Sequence, residues 1–76
     1  MRLVEISREP VELFKILKFE GMVATGGEAK QVIAGGQVRV NGEVETRKRK
    51  KIVAGDTIEF GRDKIRIQLT ETGSTR

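Results

Sequence analysis

Arg47-Lys48-Arg49-Lys50-Lys51 sets five cations side by side, and no other stretch of the 76-residue chain states its chemistry so plainly. The chain has 15 Lys+Arg against 11 Asp+Glu, a net of +4. Without the run, ten basic residues face eleven acidic ones, a net of −1. The protein is therefore a near-neutral body with one concentrated positive site. Such a site attracts polyanions, and packed phosphates are the commonest polyanion in a cell. The competing reading is a solvated loop that aids solubility. Adjacent like charges repel, however, and need a reason to stay together.

Other chemistry is poorly supplied. The absence of histidine removes the commonest general base and metal ligand at neutral pH. The absence of cysteine removes a thiol nucleophile, a disulfide framework and a zinc ribbon. The Asp and Glu residues are scattered among strands and turns, with no metal-ligand cluster. Nothing is spaced as a nucleophile–base pair, a phosphate-binding P-loop or a cofactor motif. The sequence thus predicts no enzyme, no catalytic residue, no metal and no cofactor. Its only aromatic residues are Phe14, Phe19 and Phe60, all better suited to a core than to a platform for stacked bases. A nucleic-acid partner would then be held mainly at phosphate and sugar and recognised by shape.

The elements that position the run can be read from periodicity. Leu3, Val4 and Ile6 make residues 2–6 a short edge strand. Ser7-Arg8-Glu9-Pro10 looks like a helix start, with Pro10 in the first turn and Ser7 or Glu9 as cap. Leu13, Phe14, Ile16 and Leu17 share one arc at about 100° per residue, predicting a helix from roughly 10 to 19 that Gly21 stops. Thr25-Gly26-Gly27-Glu28 has capping-box spacing and opens a second helix, whose apolar face is Ala29, Val32 and Ile33 and whose end is Gly35-Gly36.

From Val38 the period becomes two. Val38 and Val40 point one way and Arg39 the other. Asn41-Gly42 is a hairpin turn, and the return strand runs from Glu43 to about Thr46 before the basic run. Ile52-Val53 is a short apolar island. Strands follow at Thr57–Phe60 and Lys64–Leu69, separated by a turn at Gly61-Arg62-Asp63. The fold class is α+β, with two short helices in a helix-turn-helix-like pair beside a small sheet. Residues 1–70 form one domain, and residues 71–76 have nothing to bury and read as a flexible tail.

A second candidate site lies at the start of the second helix. A helix N-terminus offers unpaired N–H groups and the positive end of its dipole to a phosphate. Gly26 and Gly27 would let a phosphate come close, and Lys30, one turn in, would add its charge. Glu28 opposes this reading, because its carboxylate can satisfy the same helix end. Arg39 either extends the basic surface or pairs with Glu43 or Glu45 across the hairpin.

These motifs, in this order, resemble the RNA-binding domain named after small-subunit ribosomal protein S4, also called the αL motif. The resemblance runs from Leu13 to Phe60. It rests on the apolar helix ending at Gly21, on Thr25…Ala29…Ile33…Gly36, on Val38-Arg39-Val40-Asn41-Gly42, and on Gly55-Asp56-Thr57-Ile58 after a basic stretch. Thr25 to Lys30 and Thr46 to Asp56 look most like the small stand-alone bacterial members, the YbcJ-like group. The resemblance implies two helices packed on a small antiparallel sheet. It also implies non-enzymatic binding of structured RNA through the helix pair and the loop after the first hairpin. Ribosomal RNA, transfer RNA and a small RNA are all open as partners, and ribosome association with them.

The RNA-binding residues expected on this basis are Lys18, Thr25, Gly26, Gly27, Lys30, Arg39, Arg47, Lys48, Arg49, Lys50 and Lys51. One departure matters. Many members carry Ser-Arg where this chain has Thr25-Gly26, so the cap survives but an arginine contact does not. Lys30 and the basic run would carry more of the binding. The alternative function is a protein-interaction module whose basic loop docks on an acidic partner. No apolar stretch reaches the ~20 residues of a membrane span, and the N-terminus lacks an apolar signal region. The expectation is a cytoplasmic protein with neither a membrane nor a small-molecule partner.

Overall fold

Each element forms where local pattern and a distant partner agree. The computed structural model describes residues 1–70; the tail assigned to residues 71–76 lies outside the described residues. In chain order the elements are β1 (Arg2–Ile6), β2 (Val11–Glu12), α1 (Leu13–Phe19), α2 (Gly26–Ala34), β3 (Val38–Val40), β4 (Glu43–Val44), β5 (Lys51–Ile52), β6 (Thr57–Phe60) and β7 (Asp63–Leu69). Five strands form one sheet in the order β1-β7-β6-β3-β4, and β2 pairs with β5 separately.

The sheet is antiparallel at β3–β4, β3–β6 and β6–β7, as the hairpin signals imply. The β1–β7 pair is parallel, with Val4 opposite Ile67. Parallel neighbours need a long crossover, and here everything between Ile6 and Asp63 supplies it, both helices included. The sheet is therefore mixed, with β1 at one edge as expected and β4 at the other. Its inner face presents Val4, Val38, Val40, Ile58, Ile65 and Ile67 to Leu13, Ile16, Leu17, Ala29 and Ile33 of the helices in one continuous core. Among the described residues no polar or charged side chain is buried. The helix pair thus rests on one sheet face and leaves the other to solvent.

The first helix departs from expectation at its start. It begins at Leu13, not near Pro10. Val11 and Glu12 are taken by a two-residue antiparallel pairing with Ile52 and Lys51. Neither Ser7 nor Glu9 caps the helix. Glu9 Oε2 accepts instead from the Ala54 N–H at 2.8 Å. The N-cap, Glu12, makes no side-chain cap, because two backbone carbonyls do that work. The Leu13 N–H donates to the Lys50 carbonyl (2.9 Å) and the Phe14 N–H to the Lys48 carbonyl (3.1 Å). The orphan donors of a helix start are thus met by the basic run itself.

The other helix ends follow their sequence signals. At Gly21 (φ +72°) the Gly21 and Met22 N–H groups donate to the Lys18 and Leu17 carbonyls, the paired bonds of a Schellman stop. Thr25 Oγ1 accepts from the Glu28 N–H (3.0 Å). The return bond of the capping box runs one residue further back than usual, from the Ala24 N–H to Glu28 Oε1 (2.9 Å).

Asn41 (φ +55°) and Gly42 (φ +86°) form the expected tight turn. Asn41 also acts at a distance. Its Nδ2 donates to Asp56 Oδ1 (3.0 Å) and its Oδ1 accepts from the Thr57 N–H (2.9 Å). Asp56 Oδ2 in turn accepts from the Val53 N–H (3.0 Å), which ties the segment after the basic run to the hairpin tip. Asn41→Ala should therefore lose two hydrogen bonds and strain a left-handed position, costing about 1–2 kcal/mol. Asn41→Gly keeps the turn and should lose less. Urea unfolding of both variants checks this; an Asn41→Ala midpoint equal to the parent's would remove the bridge from the account of stability.

Candidate nucleic-acid interface

The basic run is not a free loop. Lys51 sits in β5 opposite Glu12. The Lys50 N–H donates to the Arg47 carbonyl (3.2 Å), closing a turn over Arg47–Lys50. The Lys48 and Lys50 carbonyls point inward to cap α1. With the carbonyls turned in, the side chains turn out: Arg47, Lys48, Arg49 and Lys51 are exposed and Lys50 is half-buried. Together with Thr46 and Ala34 of α2 they line an open cleft of about 670 Å³.

Phe14 links this cleft to the helices. Its backbone N–H bonds the loop at Lys48, and its half-buried ring lies beneath Lys30 Nζ, 5.0 Å from the ring centroid. A cation over a ring at such a site is worth about 0.5–1 kcal/mol, enough to bias where the ammonium rests. Lys30 is one turn before Ala34 on α2, so the two share a helix face. Lys18 is exposed one turn after Phe14 on α1, on the same flank.

The expected site residues are strung out rather than gathered at one point. Thr25, Gly26 and Gly27 begin α2, whereas Ala34 ends it. At ~1.5 Å per residue, the helix start lies roughly 12 Å from Ala34 at the cleft. The short 20–25 connection places that start beside the end of α1, where Lys18 is. The order is therefore basic run and Ala34 at one end, Lys30 on Phe14 in the middle, and Lys18 with the α2 N-terminus at the other. The Gly26 position is open, with nothing within 4 Å of where a Cβ would stand. Glu28 fills its capping role there, as the opposing reading expected.

Arg39 stands apart. It alternates with the buried Val38 and Val40, so it emerges on the sheet face away from the helices. Its strand neighbours there are Val44 and Glu59, and it lines a small polar depression with Gln37, Glu59 and Gly61. It pairs with neither Glu43 nor Glu45, and it does not extend the basic groove.

Glu45 is spoken for by Arg47. Its Oε2 accepts from Arg47 Nε (3.0 Å) and from the Arg47 backbone N–H (2.9 Å), and its Oε1 accepts from Nη2 (3.2 Å). The Glu45 N–H continues the hairpin ladder to the Val38 carbonyl (2.9 Å), so the carboxylate is fixed to the sheet. Sequence reasoning missed this pair, and missed Phe14 and Ala34 as parts of the groove. A signal existed for the first: residues two apart on an extended segment point the same way. The arginine hydrogen bond holds the Glu45 carboxyl below its ordinary value, opposing the weaker effect of burial, and the same bond raises the Arg47 guanidinium above its own. A depressed carboxyl pKa stabilises the fold above the unfolded value of ~4.3 and loses that contribution as pH falls through the folded value. Carboxyl NMR should find the Glu45 midpoint lower in the parent than in Arg47→Gln, with the variant's stability less dependent on pH below ~4.3. Equal midpoints would mean that the fork does not persist in solution.

Comparison with known proteins bears on this arrangement. Residues 4–68 match the S4 domain family. YbcJ of Escherichia coli (strain K12), whose name carries a proposed RNA-binding role, is 53% identical over 57 residues, which cover 75% of this chain and 81% of that protein. YbcJ of Shigella flexneri matches equally, with the same identity and coverage. The solution structure of YbcJ from E. coli, described as revealing an αL motif involved in RNA-binding, superposes with a TM-score of 0.69 at 46% identity. That match covers 90% of this chain and 87% of the other. The two helices on their sheet are thus the αL arrangement, and the chain belongs to the S4 domain family.

Proposed function

We propose that this protein binds structured RNA without catalysing a reaction on it. The groove from the 47–51 run through Lys30 to Lys18 and the α2 N-terminus is the contact surface. The observation that carries this reading is the anchoring of the run. Its carbonyls are bound to α1, which holds its side chains outward beside Lys30 instead of leaving them to spread apart. A rigid row of cations suits a rigid row of phosphates. The surface from the run to the α2 N-terminus extends roughly 12 Å along α2, the span of a few nucleotides of one strand. The role that YbcJ's name proposes points the same way.

The aromatic census shapes the expected specificity. Phe14 is occupied by Lys30 and Phe60 packs against the core, while Phe19 is 69% exposed at the end of α1. Phe19 thus departs from the expectation of a core residue and is the one ring left open; a single platform cannot stack a run of unpaired bases, so folded RNA is the better ligand. Competition between a stem–loop RNA and an unstructured oligonucleotide of equal length should favour the stem–loop; a preference for the unstructured strand would reverse this.

Binding should be largely electrostatic. With about four to six phosphates neutralised, log K should fall with log salt at a slope of roughly −3 to −5. Replacing Arg47, Lys48, Arg49 and Lys50 by Gln or Ser should abolish most stem–loop binding and leave the melting temperature nearly unchanged. The run supports the fold mainly through its carbonyls, which substitution preserves; only the surface Glu45–Arg47 pair is lost, a small contribution. Ile33→Asp should do the opposite, since it places an unpaired charge in a small core. Titrations across salt and melting curves on each variant test these outcomes. A salt-independent affinity, or a loop variant that binds RNA like the parent, would overturn the reading. A partner that survives nuclease and is lost with the loop charges would replace RNA by an acidic protein.

A further inference from the structure

Arg47 differs from the four cations that follow it. Lys48, Arg49, Lys50 and Lys51 make no ion pair among the described residues, whereas Arg47 is gripped by Glu45. The grip is one-sided. Glu45 uses Nε and Nη2, the side edge of the guanidinium, together with the backbone N–H. A guanidinium carries five N–H donors, so three remain, two of them aligned on the end edge formed by Nη1 and Nη2. The exposures match this division: the Glu45 side chain is 12% exposed and that of Arg47 is 72% exposed. The Glu45 side chain is largely covered, and Arg47 joins the lining of the cleft.

We infer that Glu45 is a positioning residue that fixes Arg47 as the one oriented phosphate ligand of the basic run. This rests on the proposed RNA reading and deepens it. The line of support is continuous: the sheet holds Glu45 through the Val38 carbonyl, Glu45 holds both the backbone and the guanidinium of Arg47, and Arg47 starts the turn whose carbonyls cap α1. An unsupported arginine on a charged loop would lose much rotamer freedom on meeting a phosphate. Arg47 has already lost it in the free protein, so its free edge can receive two phosphate oxygens as a fork. The lysines act differently, as point charges that follow the backbone without fixing its register.

Simple electrostatics predicts the opposite sign, which makes the inference decisive to test. Glu45 is a negative charge beside a polyanion site, so removing it should strengthen binding if charge alone matters. Glu43 supplies the control. It is exposed on β4, two residues away, and makes no ion pair among the described residues.

The experiment titrates a fluorescent stem–loop RNA with the full chain and with Glu43→Gln, Glu45→Gln, Arg47→Gln, Arg47→Lys and the Glu45→Gln/Arg47→Gln pair. Melting curves accompany each titration. Glu43→Gln should bind slightly tighter than the parent. Glu45→Gln should bind about three- to tenfold weaker, the scale of losing one oriented charge-assisted contact at an exposed site. Arg47→Lys keeps the charge but loses the fork, so it should bind weaker than the parent by about as much as Glu45→Gln, with Arg47→Gln weaker still. In the Arg47→Gln background, Glu45→Gln should no longer weaken binding, which isolates the coupling between the two residues. If Glu45→Gln binds tighter, as Glu43→Gln does, or if Arg47→Lys binds like the parent, the inference is overturned while the RNA reading stands. A parent that does not bind the stem–loop takes both down.

Discussion

The carbonyls of Lys48 and Lys50 bonded to the first N–H groups of α1 are the constraint on which the site depends. Any helix start must place its early N–H groups somewhere. Most use a nearby Ser, Thr or Asp. Here the partner is a segment more than thirty residues later, so one pair of bonds begins the helix and fixes the loop together. The result inverts the intuition that a run of cations is a floppy appendage. Its backbone is structural and its side chains are what remains for a ligand. Fold and proposed contact surface thereby separate by atom type within the same residues.

The rest of the molecule supports this junction from both sides. The β2–β5 pairing brings Ile52 into the core directly after the run, and the Asn41–Asp56 bridge holds the following turn to the hairpin tip. On the near side, Glu45 fixes the entry to the run. The basic segment is thus pinned at both ends and in the middle. Like-charge repulsion among its side chains is then borne by a frame that does not need those side chains to fold. The parallel β1–β7 pair closes the sheet around the crossover that contains these elements, and it sets the first and last strands of the described chain side by side.

Much of this was legible in order and kind. Leu13, Ile16 and Leu17, then Ala29 and Ile33, announced two amphipathic helices. Gly21 and Gly36 announced their stops, and Asn41-Gly42 announced the hairpin. These signals are local: the residue type carries the conformation, whether through positive φ, a capping oxygen or apolar periodicity. The S4-type resemblance rested on the same residues. The sequence also marked Arg47 to Lys51 as the positive site, because charge is additive and needs no coordinates.

What the sequence did not decide was how those cations are held and which others join them. Pro10 and Glu9 suggested a helix start that pairing with Ile52 and Lys51 displaced to Leu13. Arg39 was open between the basic surface and a pair across the hairpin, yet strand alternation sends it to the far sheet face, while Lys30 rests over Phe14. Glu45 looked like a partner for Arg39 and became the support of Arg47. Each of these outcomes turns on contacts between segments far apart in the chain or on which face of the sheet the helices cover. Local sequence fixes what a segment can become; the shared core of the two helices and the sheet fixes which side chains meet, because only burial against a distant partner sets their direction.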